Sequence, residues 1–98
     1  MPQVIFTQIA LQDLARPSDF LHSNNPQADK QAGAAIVKAV KLLATYPQAG
    51  RPDEDDSEYR ELIIDFGSSG YIAKYHYKND LVTVVKIKHQ KELNYIES

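Results

Sequence analysis

A chain of 98 residues, 43% of them hydrophobic, has room for one domain, 1–98, around one modest core burying roughly 60–65% of the unfolded surface. It has no cysteine, which excludes a disulfide framework and thiolate metal sites, and its net charge of −2 lacks the positive excess of a generic polyanion binder. No run approaches the ~18 apolar residues of a membrane span, and Met1-Pro2-Gln3 lacks the basic head of a signal peptide, so the chain reads as cytoplasmic with no membrane contact.

Charge is unevenly placed. Between Asp53 and Asp65 lie seven acids against Arg60 alone, a local charge of −6, which leaves +4 on the remainder. Such a block is a solvated loop or a dock for a basic partner.

Val4-Ile5-Phe6 is a short apolar run with strand propensity, and the Thr7 hydroxyl can accept from an orphan N–H of the helix that follows. Ala10, Leu14 and Leu21 share a helical face, which predicts a first helix over 8–22, kinked or restarted at Pro17 and Ser18. Asn25-Pro26 then opens a second helix, because proline at the first helical position forgoes a donor that has no partner there. Its apolar stripe, Ala32, Ile36, Ala39/Val40 and Leu43, runs to about Tyr46, where Pro47 and Gly50 end it. The short link from His22 to Asn25 makes the two helices an antiparallel hairpin.

Beyond the acidic block the period changes to two. Leu62, Ile64 and Phe66 mark one strand, Tyr71, Ala73, Tyr75 and Tyr77 a second, and Val85 and Ile87 a third, each with one buried face. A three-residue loop at Lys78-Asn79-Asp80 would pair Tyr77 with Leu81, Tyr75 with Thr83, Ala73 with Val85 and Tyr71 with Ile87. Lys74, His76, Lys86 and Lys88 then share the other face; a two-residue turn is expected to mix the faces and bury a charge. The order β-α-α-β-β-β is an α+β class, a helical hairpin packed on one face of a small, largely antiparallel sheet.

Several segments in this order carry a resemblance: Asn25-Pro26 opening the second helix, Tyr46-Pro47-Gln48-Ala49-Gly50-Arg51-Pro52 closing it, Arg60-Glu61-Leu62, Phe66-Gly67-Ser68-Ser69-Gly70-Tyr71, and His89-Gln90-Lys91-Glu92 after the last strand. By these the chain resembles the ParE/RelE toxin superfamily over most of its length. The resemblance implies the toxin of a two-component module, held inactive by a small antitoxin of ribbon-helix-helix type, and two competing activities. RelE-like members cut messenger RNA on the ribosome, with cations on the sheet; ParE-like members inhibit DNA gyrase by binding.

RNA cleavage by 2′-hydroxyl attack needs a base, a donor to the leaving oxygen and cations around the phosphate. Where RelE-like sequences carry an arginine after the Ser-Ser-Gly-Tyr turn this chain has Ile72, where they carry strand lysines it has Ile63 and Asp65, and a later arginine is replaced by Gln90. The resemblance therefore implies a ParE-like gyrase inhibitor with no cofactor, no catalytic residue and no sequence-specific DNA binding of its own, and the three scattered histidines, without i,i+4 spacing, give no metal site. Its target surface is expected at Arg60, Lys86, Lys88, His89, Gln90, Lys91 and Tyr95, and its antitoxin surface on the helices and adjacent sheet, at Leu11, Leu14, Phe20 and Tyr46. If the chain is instead a nuclease, His89, Arg60, Lys86 and Lys88 are the residues left to carry it. A third reading is a decayed toxin that only binds antitoxin. The plainer alternative for Lys86 and Lys88 is solvated strand positions, with His89 capping the strand, and Tyr71, Tyr75 and Tyr77 read first as core packing.

Overall fold

The structure is a computed structural model and describes residues 2–15, 26–67 and 69–90. Five strands, β1 (Gln3–Phe6), β2 (Arg51–Pro52), β3 (Tyr59–Phe66), β4 (Ser69–Lys78) and β5 (Leu81–His89), form one mixed sheet in the order β1-β5-β4-β3-β2. Two helices, α1 (Gln8–Ala15) and α2 (Pro26–Lys41), complete the α+β fold, with a 3-10 turn at Leu42–Ala44. α1 lies against β5 and α2 against β3. The expected continuation of the first helix beyond Ala15, with Pro17, Phe20 and the link at His22, lies outside the described residues, as do Lys91 and Tyr95.

Local chemistry accounts for the boundaries. The Ala10 N–H donates to the Thr7 hydroxyl at 3.1 Å, capping α1, and α2 begins at Pro26. The stripe Ala32, Ile36, Val40 and Leu43 is buried against Ile64 of β3 and against Tyr71, Ala73, Tyr75, Val82, Val84 and Ile87 of β4 and β5. Each large side chain of this set contributes about 1.5–3 kcal/mol by leaving water.

The β4–β5 hairpin corrects the expected register. The turn is Asn79-Asp80, two residues, with φ of 55° and 62°, the positive pair that a type I′ turn requires. Lys78 pairs with Leu81, Tyr77 with Val82, His76 with Thr83 and Tyr75 with Val84; the register then slips, and Lys74 pairs with Lys86, Ala73 with Ile87 and Tyr71 with His89. Val85 is the extra residue of a β-bulge. Before it Val82 and Val84 face the core, after it Ile87 and His89 do, so the short turn buries no charge. Parity reasoning failed here because it assumed an unbroken ladder.

The N-terminal segment holds this bulge. β1 runs parallel to β5, and beyond it the Thr7 N–H donates to the Val84 carbonyl at 2.9 Å while the Thr7 hydroxyl donates to the Val85 carbonyl at 3.2 Å. One turn later the Asp13 carboxylate accepts the Ile87 N–H at 3.0 Å. β2 was not foreseen; it is two residues of the segment that closes the second helix, pairing Arg51 with Glu61 and Pro52 with Arg60.

Candidate functional site

The sheet has one face turned to the helices and one turned away. On the outer face the register sets Tyr59 beside His76, Glu61 beside Lys74, Ile63 beside Ile72 and Asp65 beside Gly70, with Lys86 beside Lys74 and Lys88 beside Ile72. The positions at which the resemblance places the cations of RelE-like toxins thus form a contiguous patch of Ile63, Ile72 and Asp65, with Ile72 buried and Ile63 exposed.

The outer-face cations are engaged unequally. Lys74 Nζ lies 3.0 Å from Asp53 Oδ2 and 5.1 Å from the centroid of the Tyr59 ring, and Tyr59 in turn meets His76 at 5.4 Å between centroids. Lys86 Nζ sits 3.7 Å from the Asp13 carboxylate. Among the described residues Lys88 has no ion-pair partner.

The acidic loop folds onto this face through Asp53. The Asp55 N–H donates to Asp53 Oδ1 at 2.9 Å, and this bond, reinforced by Lys74, holds the Asp53 carboxyl below its ordinary 3.8. Asp53 raises Lys74 above its ordinary 10.5, outweighing the desolvation that opposes it. A depressed carboxyl contributes above its ordinary value and loses that contribution as the pH falls through the lowered one; a raised ammonium does so as the pH rises past its own. The Asp53–Lys74 link is therefore expected to persist from below pH 3.8 to above pH 10.5. An NMR titration of the Asp53 carboxyl carbon and the Lys74 ε protons checks it; a midpoint at or above 3.8 for Asp53 would contradict the geometry.

On the helix-side face a second arrangement ties β3 and β4 to the loop after α2. The Tyr75 phenol, fully buried, donates to the Pro47 carbonyl at 2.7 Å and accepts the Gly50 N–H at 2.9 Å. Arg60, the register partner of Tyr75, donates from Nη1 to the Gly50 carbonyl at 2.8 Å and to that of Gln48 at 3.4 Å. Glycine at position 50 is required by close approach: a Cβ would lie 2.7 Å from the Tyr75 ring and 2.8 Å from the Glu61 carbonyl.

This placement separates the residues that the sequence grouped. Arg60 lies on the helix-side face among loop carbonyls, whereas Lys86 and Lys88 lie on the outer face. His89 is 95% buried on the helix side, its ring edge-on to Tyr71 at 5.0 Å. The structure therefore does not bring Arg60, His89 and the two lysines together. Gln90 follows β5 directly and is half-buried. Of the expected antitoxin residues, Leu11 is exposed, Leu14 packs against the core, and Tyr46 is exposed over an open groove of about 480 Å³ that runs from Thr45 to Ala49. Among the described residues no cluster of three histidine, cysteine or acidic side chains is placed to hold a metal, and no helix is long and apolar enough to cross a membrane.

Sequence reasoning missed Asp13, Asp53 and Tyr75 as anchors. Asp13 acts across 74 residues, which no local pattern reports. For Tyr75 one signal existed: a glycine ending a helix, Gly50, is a site where a backbone can be approached closely.

Comparison with known proteins agrees with this architecture. The family described as the ParE toxin of type II toxin–antitoxin system, parDE, matches residues 4–94. Toxin RelE2 of Caulobacter vibrioides is 31% identical over 93 residues, 95% of this chain and 100% of that protein, and Toxin RelE3 of the same organism is 30% identical over 83 residues, 85% and 88%. Among solved structures, the chromosomal ParDE toxin–antitoxin system from P. aeruginosa superposes with a TM-score of 0.74 at 25% identity, covering 91% of this chain and 96% of that one. The RelBE2 toxin–antitoxin complex from Mycobacterium tuberculosis shares the fold, with a TM-score of 0.62 at 22% identity over 92% and 100% of the two chains. The chain belongs to the ParE family of the ParE/RelE superfamily, the toxins of type II toxin–antitoxin systems.

Proposed function

We propose that the protein is a cytoplasmic, ParE-like toxin that inhibits DNA gyrase by binding and is neutralised by a cognate ribbon-helix-helix antitoxin. The observation that carries this reading is the outer sheet face, where Ile63, Ile72 and Asp65 sit side by side. A phosphodiester transition state gathers negative charge, and an apolar pair beside a carboxylate destabilises it. The burial of His89 on the opposite side from Lys86 and Lys88 supports the same preference, because a proton donor and the stabilising cations must converge within a few ångströms.

In this reading the target surface is the outer-face ridge of Lys86 and Lys88 with the chain beyond it, Gln90, Lys91 and Tyr95, while buried His89 supports that segment from the helix side and Arg60 contributes from a separate position. The antitoxin covers Leu11, Leu14, Phe20 and Tyr46. The second reading, a ribosome-dependent RNA endonuclease, draws on the kinship with the two Caulobacter toxins that carry the RelE name.

One pair of assays separates them. Purified protein is expected to block gyrase supercoiling, or to trap a cleaved gyrase–DNA complex, at near-stoichiometric ratios, and to leave messenger RNA intact in a translating extract. Ribosome-dependent cleavage abolished by His89→Ala would reverse the assignment.

A further inference from the structure

At the end of the sheet where the acidic loop meets the β4–β5 turn, a cleft of about 250 Å³ opens between Gln48, Ser57, Glu58, Arg60, His76, Tyr77 and Lys78. Of these seven, Arg60, His76 and Lys78 are basic side chains and Glu58 is acidic. The cleft lies apart from the ridge of Lys86 and Lys88, which pair with Lys74 and Ile72 further along β4.

Arg60 is its fixed element. The residue is half-buried, and its Nη1 is held by the carbonyls of Gly50 and Gln48. Carbonyl oxygens orient a guanidinium without neutralising it, and among the described residues no carboxylate lies within ion-pair distance of Arg60. A preorganised cation that has lost part of its hydration and gained no counter-charge is a receptor for a planar oxyanion, whose two oxygens match the fork of N–H donors. His76, oriented by its contact with Tyr59, and the exposed Lys78 supply further donors at the mouth.

The surroundings choose among oxyanions. Glu58 lines the cleft and Asp55 and Asp56 stand exposed shortly before it in the chain, so the segment that borders the cleft is acidic. A nucleic-acid backbone binds through many phosphates at once and needs a positive field, which this end of the molecule lacks. A single carboxylate brings one negative charge to Arg60 where a nucleic-acid backbone brings many, and a basic neighbour of that carboxylate offsets it by meeting Glu58 and the loop.

We propose that this cleft binds an acidic side chain of a partner protein, presented next to a basic residue in an extended segment. Arg60 takes the carboxylate, Lys78 and His76 close over it, and Glu58 faces the adjoining ammonium or guanidinium. The assignment is independent of whether gyrase or the ribosome is the toxin's target.

The test is an NMR titration of the full chain with a blocked glutamyl-lysine peptide, read at the Arg60 side-chain N–H and the His76 ring. The matched glutaminyl-lysine peptide, inorganic phosphate and a single-stranded oligonucleotide serve as comparison probes. The glutamyl peptide is expected to shift both resonances saturably, the glutaminyl peptide to fail, and Lys78→Gln to weaken binding at least threefold. Lys78 is exposed and among the described residues makes no ion pair, so this variant keeps the fold, whereas Arg60→Gln also releases the loop carbonyls. Equal response to the two peptides, tighter binding of phosphate or oligonucleotide, or unchanged affinity in Lys78→Gln would overturn the proposal.

Discussion

Replacing Tyr75 by alanine is expected to destabilise the protein by about 3–5 kcal/mol, the range for removing a buried aromatic side chain. For a chain of this size that lowers the melting temperature by on the order of 20 °C. Tyr75 is fully buried at the centre of the helix-side face, and its phenol closes two hydrogen bonds to the loop after α2. Tyr75→Phe separates the two contributions. The ring keeps its packing, but the Gly50 N–H is left buried without its acceptor and the Pro47 carbonyl without its donor, which costs about 1–3 kcal/mol. Burial also raises the phenol above its ordinary pKa of 10.0, more strongly than the Gly50 N–H and the charge of Arg60 lower it. A raised acid contributes stability below its ordinary value and loses it as the pH rises towards the folded one, so alkaline unfolding should begin above pH 10.0 and be milder in Tyr75→Phe. Thermal melts of the two variants decide the matter; an unchanged melting temperature for Tyr75→Ala would mean that the loop is held by something else.

Binding of the antitoxin is expected to raise the melting temperature of the toxin by a comparable amount. Ile9, Leu11, Leu42 and Tyr46 are 52–63% exposed, an apolar burden that a partner's amphipathic segment can cover. A ligand that binds only the folded state stabilises it by about 4 kcal/mol when its free concentration is 1,000 times the Kd. That corresponds to on the order of 20 °C for a chain of this length. Differential scanning fluorimetry across an antitoxin titration provides the measurement. A melting temperature that does not move at saturation would exclude a folded-state complex of this kind.

The elements most legible in the sequence were those whose signal is local. The stripe Ala32, Ile36, Val40, Leu43 and the alternation in β3 and β4 report a single helix or strand against a single core, and the structure buries those residues. The Thr7 cap and the proline opening α2 are likewise decided within one turn. The β5 register was not legible, because it depends on a bulge whose cause is remote: Val85 is accommodated by Thr7, and Ile87 is met by Asp13. The candidate site divided in the same way. Composition and resemblance marked Ile63, Ile72 and Asp65 as unsuited to RNA chemistry, and their adjacency in the sheet agrees with that reading. Arg60 lies apart from Lys86 and Lys88 for a reason the alternation already held: it shares the parity of Leu62, Ile64 and Phe66, and so takes the helix-side face, where the loop carbonyls hold it.

The clamp on the bulge also sets an order of assembly. β3, β4 and β5 form a meander whose neighbours are joined by tight turns, so their pairing closes short loops. β1 and α1 are made first but find their partners 74 to 78 residues later, in the last strand of the sheet. Contacts of such separation repay their loop-closure entropy only after the meander exists, so the first strand to be synthesised is the last to dock. A nascent chain therefore carries an unpaired β1 until β5 has emerged, and a partner present at that moment meets the toxin before it is complete.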